Sequence, residues 1–558
     1  MQSIKKLADW GIKNGVFAWV AAALVWYIVV STLRNGISCD EGFYLMGYLR
    51  NQSIEGIGTD FHAIVRAIGH PFQDDNIMVF RYLRLFLNVI AIVLFAGSSY
   101  EWLSRRKGLR ISRWAYYPIV ALAGAMSFTF ATPTISYDSV ESITVLSTAS
   151  LLFIQFTSNK SLVKSLCSFG VGFLLWFACS NYPPAGVCVV LLFLFLYLLE
   201  IREGRWKHFL MAFGGVLVAL IISHFFIHDL KVWFSEISSV FVSTFTETSR
   251  SRHDAGHLMS GIVSTVVNDL VIFIPMVAVF AVLYKRIRIS DTVQWIIVLL
   301  LCVGLIVARR VYELRSTLLL IPVALMLAKV LAEQGSIKDY LLSKDFYVFL
   351  FLVAIPIAGV FGTNQPIMKK AIIYAPFWVL AFFYLSAVLK TESVNRLALV
   401  FTVILFAGYI WLGNFQRYHY YYTPRSSRYE IEGASRPQKV LISKYQQEYY
   451  RDLLDSLSVS GCKPGDRYMA FGENQMAVYL AGGFVDGKLP YHLWQYKHVE
   501  REAPRAFVLF KNEEGEVISH FRDTGWGFPE QYKRMEMRQM SENMGDEHRT
   551  VVYVKTNQ

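Results

Sequence analysis

Runs of apolar residues, about 17–24 positions long and nearly free of charge, recur along the chain as far as residue 413. At 1.5 Å of rise per residue, one such run as a helix crosses about 30 Å of hydrocarbon. A helix on a soluble protein needs only an apolar stripe, so many runs apolar on every side exclude an ordinary soluble fold. The expected fold class is mainly α, a polytopic transmembrane bundle. Composition agrees: 54% of the 558 residues are hydrophobic and 17% are charged, where soluble domains carry roughly 25% charge. The net charge of +12 does not indicate nucleic acid. Lys and Arg gather in short segments between apolar runs, which is the distribution that membrane threading demands, so membrane lipids are the expected surroundings.

Charge also sets the direction of threading. Lys5, Lys6 and Lys13 precede the first run and place the N-terminus in the cytoplasm. That run lacks a small-residue cleavage site and is read as a spanning helix rather than a signal peptide. Helix 1 is expected over 15–34, followed by an outer loop over 35–77 and helix 2 over 78–99. Arg105, Arg106, Lys107, Arg110 and Arg113 then form a basic inner loop. Helices 3 and 4 (114–131, 139–157) enclose an outer turn, and helices 5 and 6 (166–180, 184–200) flank another at 181–184. Helix 7 (209–227) leads to a second long outer loop, 228–260, and helix 8 (261–284) returns. Helices 9 to 13 follow over 292–308, 316–333, 346–362, 370–389 and 396–413. About thirteen crossings from a cytoplasmic start leave the tail outside. The expected division is therefore a transmembrane module over 1–413 and a small extracytoplasmic α/β domain over 414–558.

The tail is rich in Tyr, Arg and Glu. Residues 438–458 have helical periodicity, and Tyr468–Phe471, Met476–Leu480, Ala506–Phe510 and Val551–Val554 read as short strands. Gly465-Asp466, Gly482-Gly483 and Asp486-Gly487 mark turns.

Four groups of polar residues are candidates for chemistry. Asp40 and Glu41 stand side by side at the outer mouth of helix 1. A carboxylate at a membrane boundary loses hydration, its pKa rises, and it becomes a candidate general base; the bland reading is a solvated pair. The same loop carries two short apolar-faced segments, 43–50 and 61–69, which read as interfacial helices lying flat on the membrane. His62 and His70 in this loop are either solvated or metal ligands. Tyr137, Asp138 and Glu141 form a second site at the outer end of helix 4, with the two acids three apart on one helix face. Asp138 caps that helix, lines a cavity, or does both. Arg309, Arg310 and Arg315 lie in the outer turn between helices 9 and 10, against the positive-inside trend, as do Lys369 and Lys370 at helix 12. Such cations either bind phosphate, which guanidinium grips bidentately, or snorkel to headgroups. Arg250, Arg252, His253, Asp254 and His257 make a polar cluster in the second loop, either a lid or a plain connector. The six cysteines have no metal-ligand spacing, so no metal is expected; Cys39 and Cys462 both fall outside, as free thiols or as a disulfide.

A cytoplasmic N-terminus, an Asp40-Glu41 pair in a long first outer loop with flat helices, a many-helix bundle and an outer α/β tail together resemble the GT-C superfamily of membrane glycosyltransferases. The likeness is to the branch holding the protein O-mannosyltransferases and the lipid A aminoarabinose transferases. It covers the whole chain in architecture and rests at residue level on Asp40-Glu41. It implies a polyprenyl-phosphate-linked sugar as donor, the first-loop acid as catalytic residue, no cofactor, and a bacterial inner membrane location. The implied acceptor is a hydroxyl of an envelope glycan, a lipid or a protein. The outer arginines would assist departure of the lipid phosphate, while Tyr137, Asp138 and Glu141 would contact substrate. The inserted outer domain of the eukaryotic mannosyltransferases is absent, which leaves the acceptor open. Two other functions fit the same layout: a transporter or flippase of lipid-linked sugars, and an O-antigen polymerase or ligase. Transporters place repeated halves and charges near the midplane, whereas these charges gather at the outer rim.

Overall fold

A computed structural model describes residues 15–556 apart from 39, 51, 53–58, 70–75, 131, 201–204, 228, 236, 239–254, 288–292, 294–314, 334–335, 363–366, 390–393, 416–426, 437–438, 486–501 and 540–544. The chain is mainly helical. In order, the helices are α1 (Val16–Thr32), α2 (Glu41–Tyr48), α3 (Phe61–Gly69), α4 (Ile77–Lys107), α5 (Arg113–Ala125) and α6 (Tyr137–Thr157). Then come α7 (Ser161–Asn181), α8 (Pro183–Glu200), α9 (Arg205–Ile222), α10 (Ala255–Ile287), α11 (Arg315–Glu333), α12 (Ile337–Leu341) and α13 (Lys344–Ala358). Last are α14 (Ile367–Leu389), which contains a 3-10 turn, and α15 (Val394–Phe415), then α16 (Lys444–Val459), α17 (Gln475–Leu480) and α18 (Glu514–Phe521). Among the described residues, six helical stretches are long and apolar enough to cross a membrane: α4, α6, α7, α8, α9 with its continuation to Ile227, and α14.

Two compact units emerge. The first comprises Met1–Val29, Leu87–Ala131 and Tyr137–Gly413. Here α14 is the central helix, buried over 89% of its apolar window and packed against α5, α11 and α13. By contrast only 17% of the Trp206–Ile227 window is buried, which leaves an apolar surface suited to lipid. Helices α7 and α9 meet backbone to backbone. A Cβ on Gly172 would lie 1.8 Å from the Ala212 carbonyl oxygen, and one on Gly215 would lie 2.0 Å from that of Phe169. Close approach through small residues is how helices associate when lipid supplies no hydrophobic drive. Helix α4 runs on through Arg105, Arg106 and Lys107, which form its last turn rather than a loop. Cations complement the partial negative charge of a helix C-terminus, and Lys107 also pairs with Asp345, so polarity did not end the helix where apolarity did. Helix α10 likewise begins at Ala255, inside the stretch expected as loop. The rest of the second-loop cluster, Arg250 to Asp254, and the expected helix 9 apart from Val293 lie outside the described residues.

The second unit joins Val30–Phe86 and Thr132–Ser136 to Asn414–Gln558. Its core is a five-stranded sheet in the order β4-β3-β5-β7-β6, with β3 (Arg467–Ala470), β4 (Phe484–Val485), β5 (Ala506–Phe510), β6 (Tyr532–Glu536) and β7 (Thr550–Lys555). Strands β4, β3 and β5 are parallel; β7 runs antiparallel to both neighbours. Phe507 anchors one face, touching Phe521, Trp526, Phe528 and Tyr532. A two-stranded pair, β1 (Tyr429–Glu430) with β2 (Leu441–Ile442), precedes it. The segment Met476–Leu480, expected as a strand, belongs to α17. It is buried on every side, so it lacks the periodicity that separates a short helix from a short strand.

The loop between α1 and α4 is built into this unit. Gly36 N donates to Leu441 O, Leu441 N to Arg34 O, and the Gln52 side chain makes two bonds to the Val485 backbone. All eight residues of α2 are buried, against α3 and α17. A Cβ on Gly42 would lie 2.2 Å from Met476 N. The expectation of an α2 lying flat on lipid therefore fails: its apolar face is covered by protein.

Candidate functional site

Asp40 and Glu41, adjacent in sequence, have opposite surroundings. Asp40 occupies the N-cap position of α2, half-buried, and its side chain makes no capping hydrogen bond. Glu41 is fully buried and faces Arg81 of α4. Arg81 Nε donates to Glu41 Oε1 at 2.9 Å and Nη2 to Oε2 at 2.7 Å, the bidentate geometry that gives guanidinium–carboxylate pairs their strength. Thr134 Oγ1 donates to Oε1 as well, and Ser38 N to Oε2 at 3.2 Å. Arg81 spends its remaining reach on the carbonyls of Leu33 at 2.7 Å and Gly36 at 2.6 Å. Every acceptor position on Glu41 is thus occupied, and one ion pair ties α4 to the turn that presents Asp40.

The second acidic site lies in the helical unit. Asp138 falls within the first turn of α6 rather than at its cap, and its carboxylate meets Lys370 of α14 at 2.7 Å. Lys370 also donates to the Tyr137 hydroxyl at 3.1 Å and stands 4.6 Å over the Tyr137 ring. Lys370 is buried, and Lys369 is buried with its ammonium 5.7 Å over the Phe130 ring. Neither lysine snorkels to headgroups, because each has partners inside the protein. Glu141, one turn along α6, is also buried. Its Oε2 accepts from Asn181 Nδ2 at 2.9 Å, and the same Nδ2 donates to Tyr137 O at 3.0 Å. So the sequence-predicted trio Tyr137, Asp138 and Glu141 forms one polar cluster, completed by Lys370 and Asn181.

The other predictions fare differently. Arg309 and Arg310 lie outside the described residues, and Arg315 opens α11 rather than lying in the turn before it. His70 is likewise outside them. His62 is neither solvated nor a ligand in a metal cluster. It is buried among the rings of Phe43, Tyr44, Tyr48 and Phe61, and among the described residues neither ring nitrogen has a hydrogen-bond partner. Burial first, and the nearby Arg66 second, hold this imidazole well below its usual titration range. Among the described residues no group of three or more His, Cys, Asp or Glu is placed to hold a metal. Cys462 is a free thiol. Sequence reasoning missed Arg81, Thr134 and Asn181. Arg81 and Arg84, two cations at i and i+3 within an apolar helix, carried a legible signal, since ionisable residues in such helices are kept for a partner. No protein-family model and no curated protein matches the sequence.

Proposed function

We propose that this chain is a membrane glycosyltransferase that moves a sugar from a polyprenyl-phosphate donor to an acceptor hydroxyl on the non-cytoplasmic side. The observation that carries the reading is the division of labour between the two first-loop acids. Glu41 is engaged on all sides by Arg81, Thr134 and the Ser38 amide, which suits a positioning residue. Asp40 is half-exposed at the start of α2, where an acceptor hydroxyl can reach it, which suits a general base.

In the proposed reaction Asp40 takes the proton from the acceptor hydroxyl as that oxygen attacks the anomeric carbon. The bond from that carbon to the lipid phosphate breaks, the phosphate leaves with the electron pair, and the configuration inverts. A phosphate monoester is already a good leaving group, so fixed positive charge rather than a general acid assists it; Arg309, Arg310 and Arg315 are the proposed sources. The location that goes with this reading is a bacterial inner membrane, with residues 414–558 in the periplasm.

The test is Asp40→Asn in full-length protein with normal expression and melting. Loss of general-base catalysis lowers transfer by about 10²–10⁴-fold. A radiolabelled sugar on polyprenyl phosphate, with envelope lipid and glycan as acceptors, gives the readout. Full transfer by the variant rejects Asp40 as the base. A flippase reading predicts instead that Asp40→Asn alters sidedness of the lipid-linked sugar with no new glycosidic bond.

A further inference from the structure

Within the helical unit, several of the breaks between apolar helices meet at one end, tied together by polar contacts. Arg106 Nε, in the last turn of α4, donates to Phe156 O near the end of α6 at 3.1 Å. Lys107 beside it pairs with Asp345 at the start of α13 at 2.5 Å. Lys344, which opens α13, reaches Glu200 at the end of α8 at 3.2 Å. Lys207 Nζ, at the start of α9, donates to Ser161 Oγ at the start of α7 at 3.1 Å. The start of α5 lies close by, since the Tyr100 hydroxyl of α4 donates to Ile111 O at 3.2 Å. One surface therefore carries all these helix ends.

Folding sorts the charges on this surface. Its acids are paired with part of the cations: Glu101 with Arg105 at 2.7 Å, Asp345 with Lys107, and Glu200 with Lys344. Asp339 in α12 has Lys338 next to it in sequence. Arg110, Arg113, Lys160, Lys164 and Lys207 form no ion pair among the described residues. Lys164 is half-buried and the others are exposed. Residues 201–204 lie outside the described residues, but their Arg202 and Glu203 cancel, so the surplus of positive charge stands. Like charges gathered in this way repel one another unless anions compensate them. Membrane threading alone does not ask for the surplus, because a basic residue orients a helix whether or not folding later pairs it.

The neighbouring apolar side chains show which anion fits. Trp206, just before Lys207, is 78% exposed, and Leu162, close to Lys160, is 72% exposed. Trp114 is exposed as well, with the Arg113 guanidinium 5.8 Å from its ring centre. Tryptophan gathers at the depth of lipid headgroups, and Lys and Arg lay their stems along apolar surface while the charged head reaches out. A soluble anion would use the cations alone. A phospholipid uses both features, its phosphate on the cations and its acyl chains along the apolar side chains.

We propose that this end of the helical unit is a docking surface for anionic phospholipid, preferred over zwitterionic lipid through Arg110, Arg113, Lys160, Lys164 and Lys207. Basic residues at a membrane surface attract anionic headgroups within about a Debye length, so the preference weakens as salt rises. The inference goes beyond sugar transfer and holds for a transferase or a transporter alike.

The test uses full-length protein in nanodiscs of phosphatidylcholine, with phosphatidylglycerol added in steps at fixed ionic strength. Lipid that binds the folded state raises Tm saturably, and that rise is the expected result. Inorganic phosphate added to discs of phosphatidylcholine alone is the free-anion arm, and Tm is expected not to move. The triple variant Lys160→Gln, Lys164→Gln, Lys207→Gln removes charge from exposed and half-buried positions and loses most of the rise. Equal Tm with and without phosphatidylglycerol overturns the proposal without need of any variant. A rise that inorganic phosphate reproduces overturns it in favour of a soluble-anion site. A rise undiminished in the triple variant also overturns it, because the lipid then acts elsewhere.

Discussion

Glu41 and Glu141 are both fully buried glutamates near the first turn of a helix, and they are in opposite states. Glu41 has a matched guanidinium and four donors on its two oxygens. Among the described residues, Glu141 accepts from one amide donor, and the ammonium of Lys370 pairs with Asp138. Burial is therefore not what separates them; completeness is. A saturated ion pair has no capacity left for a ligand and serves to hold elements in register. An incomplete one leaves an acceptor oxygen without a donor among the described residues, and such an oxygen calls for an explanation. The rule turns a hydrogen-bond census into a functional argument: of two buried acids, the one with an unmatched oxygen is where chemistry or binding is expected.

The comparison breaks most readily at Arg81. Replacing it with Leu leaves Glu41 buried with no cation, and removing one partner of a buried pair costs about 3–5 kcal/mol. The expected outcome is a large drop in Tm, or loss of folded protein. Because the penalty comes from the orphaned charge, Arg81→Leu with Glu41→Leu recovers most of the loss. If the double variant is no better than the single one, Glu41 was not held by charge pairing, and the contrast with Glu141 fails. A smaller effect tests the docking that the ion pair secures. Gly42→Ala places a methyl 2.2 Å from Met476 N, so α2 must shift against α17. Overpacking of this kind costs about 1–3 kcal/mol. Limited proteolysis within residues 41–69 reads the loosening directly, and unchanged protection would mean that α2 and α17 are not in contact.

The sequence made the bundle legible because length and apolarity are local properties. Helices α6, α8 and α14 fall within a few residues of their expected bounds. What it hid were pairings across long stretches of chain. Glu41 with Arg81 spans 40 positions, and Asp138 with Lys370 crosses from α6 to α14. No periodicity reports such a contact, so Glu41 reads as a twin of Asp40 until the fold is known. The same blindness applied to the first loop: a short helix buried on one side by lipid and one buried by its own C-terminal domain have the same apolar pattern. Strands β3, β5 and β7 stood out as runs of Val, Phe, Met and Tyr, whereas β6, with the sequence Tyr-Lys-Arg-Met-Glu, is an edge strand whose charges mask it.

His62 supplies the smallest and most graded test, because it is a buried polar group of the incomplete kind in the same unit as the complete Glu41. Its ring is neutral where it stands: burial and Arg66 both oppose a proton, so the folded pKa lies below the ordinary value of 6.5. The unfolded chain takes up that proton near pH 6.5 and the folded chain does not. Below this pH the unfolded state binds more protons, so stability falls as pH falls; above it the contribution is fully present and constant. One proton gives a slope of about 1.4 kcal/mol per pH unit until the folded imidazole itself titrates. Melting curves of the full-length protein between pH 7.5 and pH 5 measure it, and hydrogen exchange over residues 41–69 shows whether the opening is local. His62→Phe fills the cage of Phe43, Tyr44, Tyr48 and Phe61 with an uncharged ring and lowers the slope by that one proton. A slope unchanged by the substitution would mean that acid acts through the carboxylates instead, and the distinction between satisfied and unsatisfied burial would lose its support in this unit.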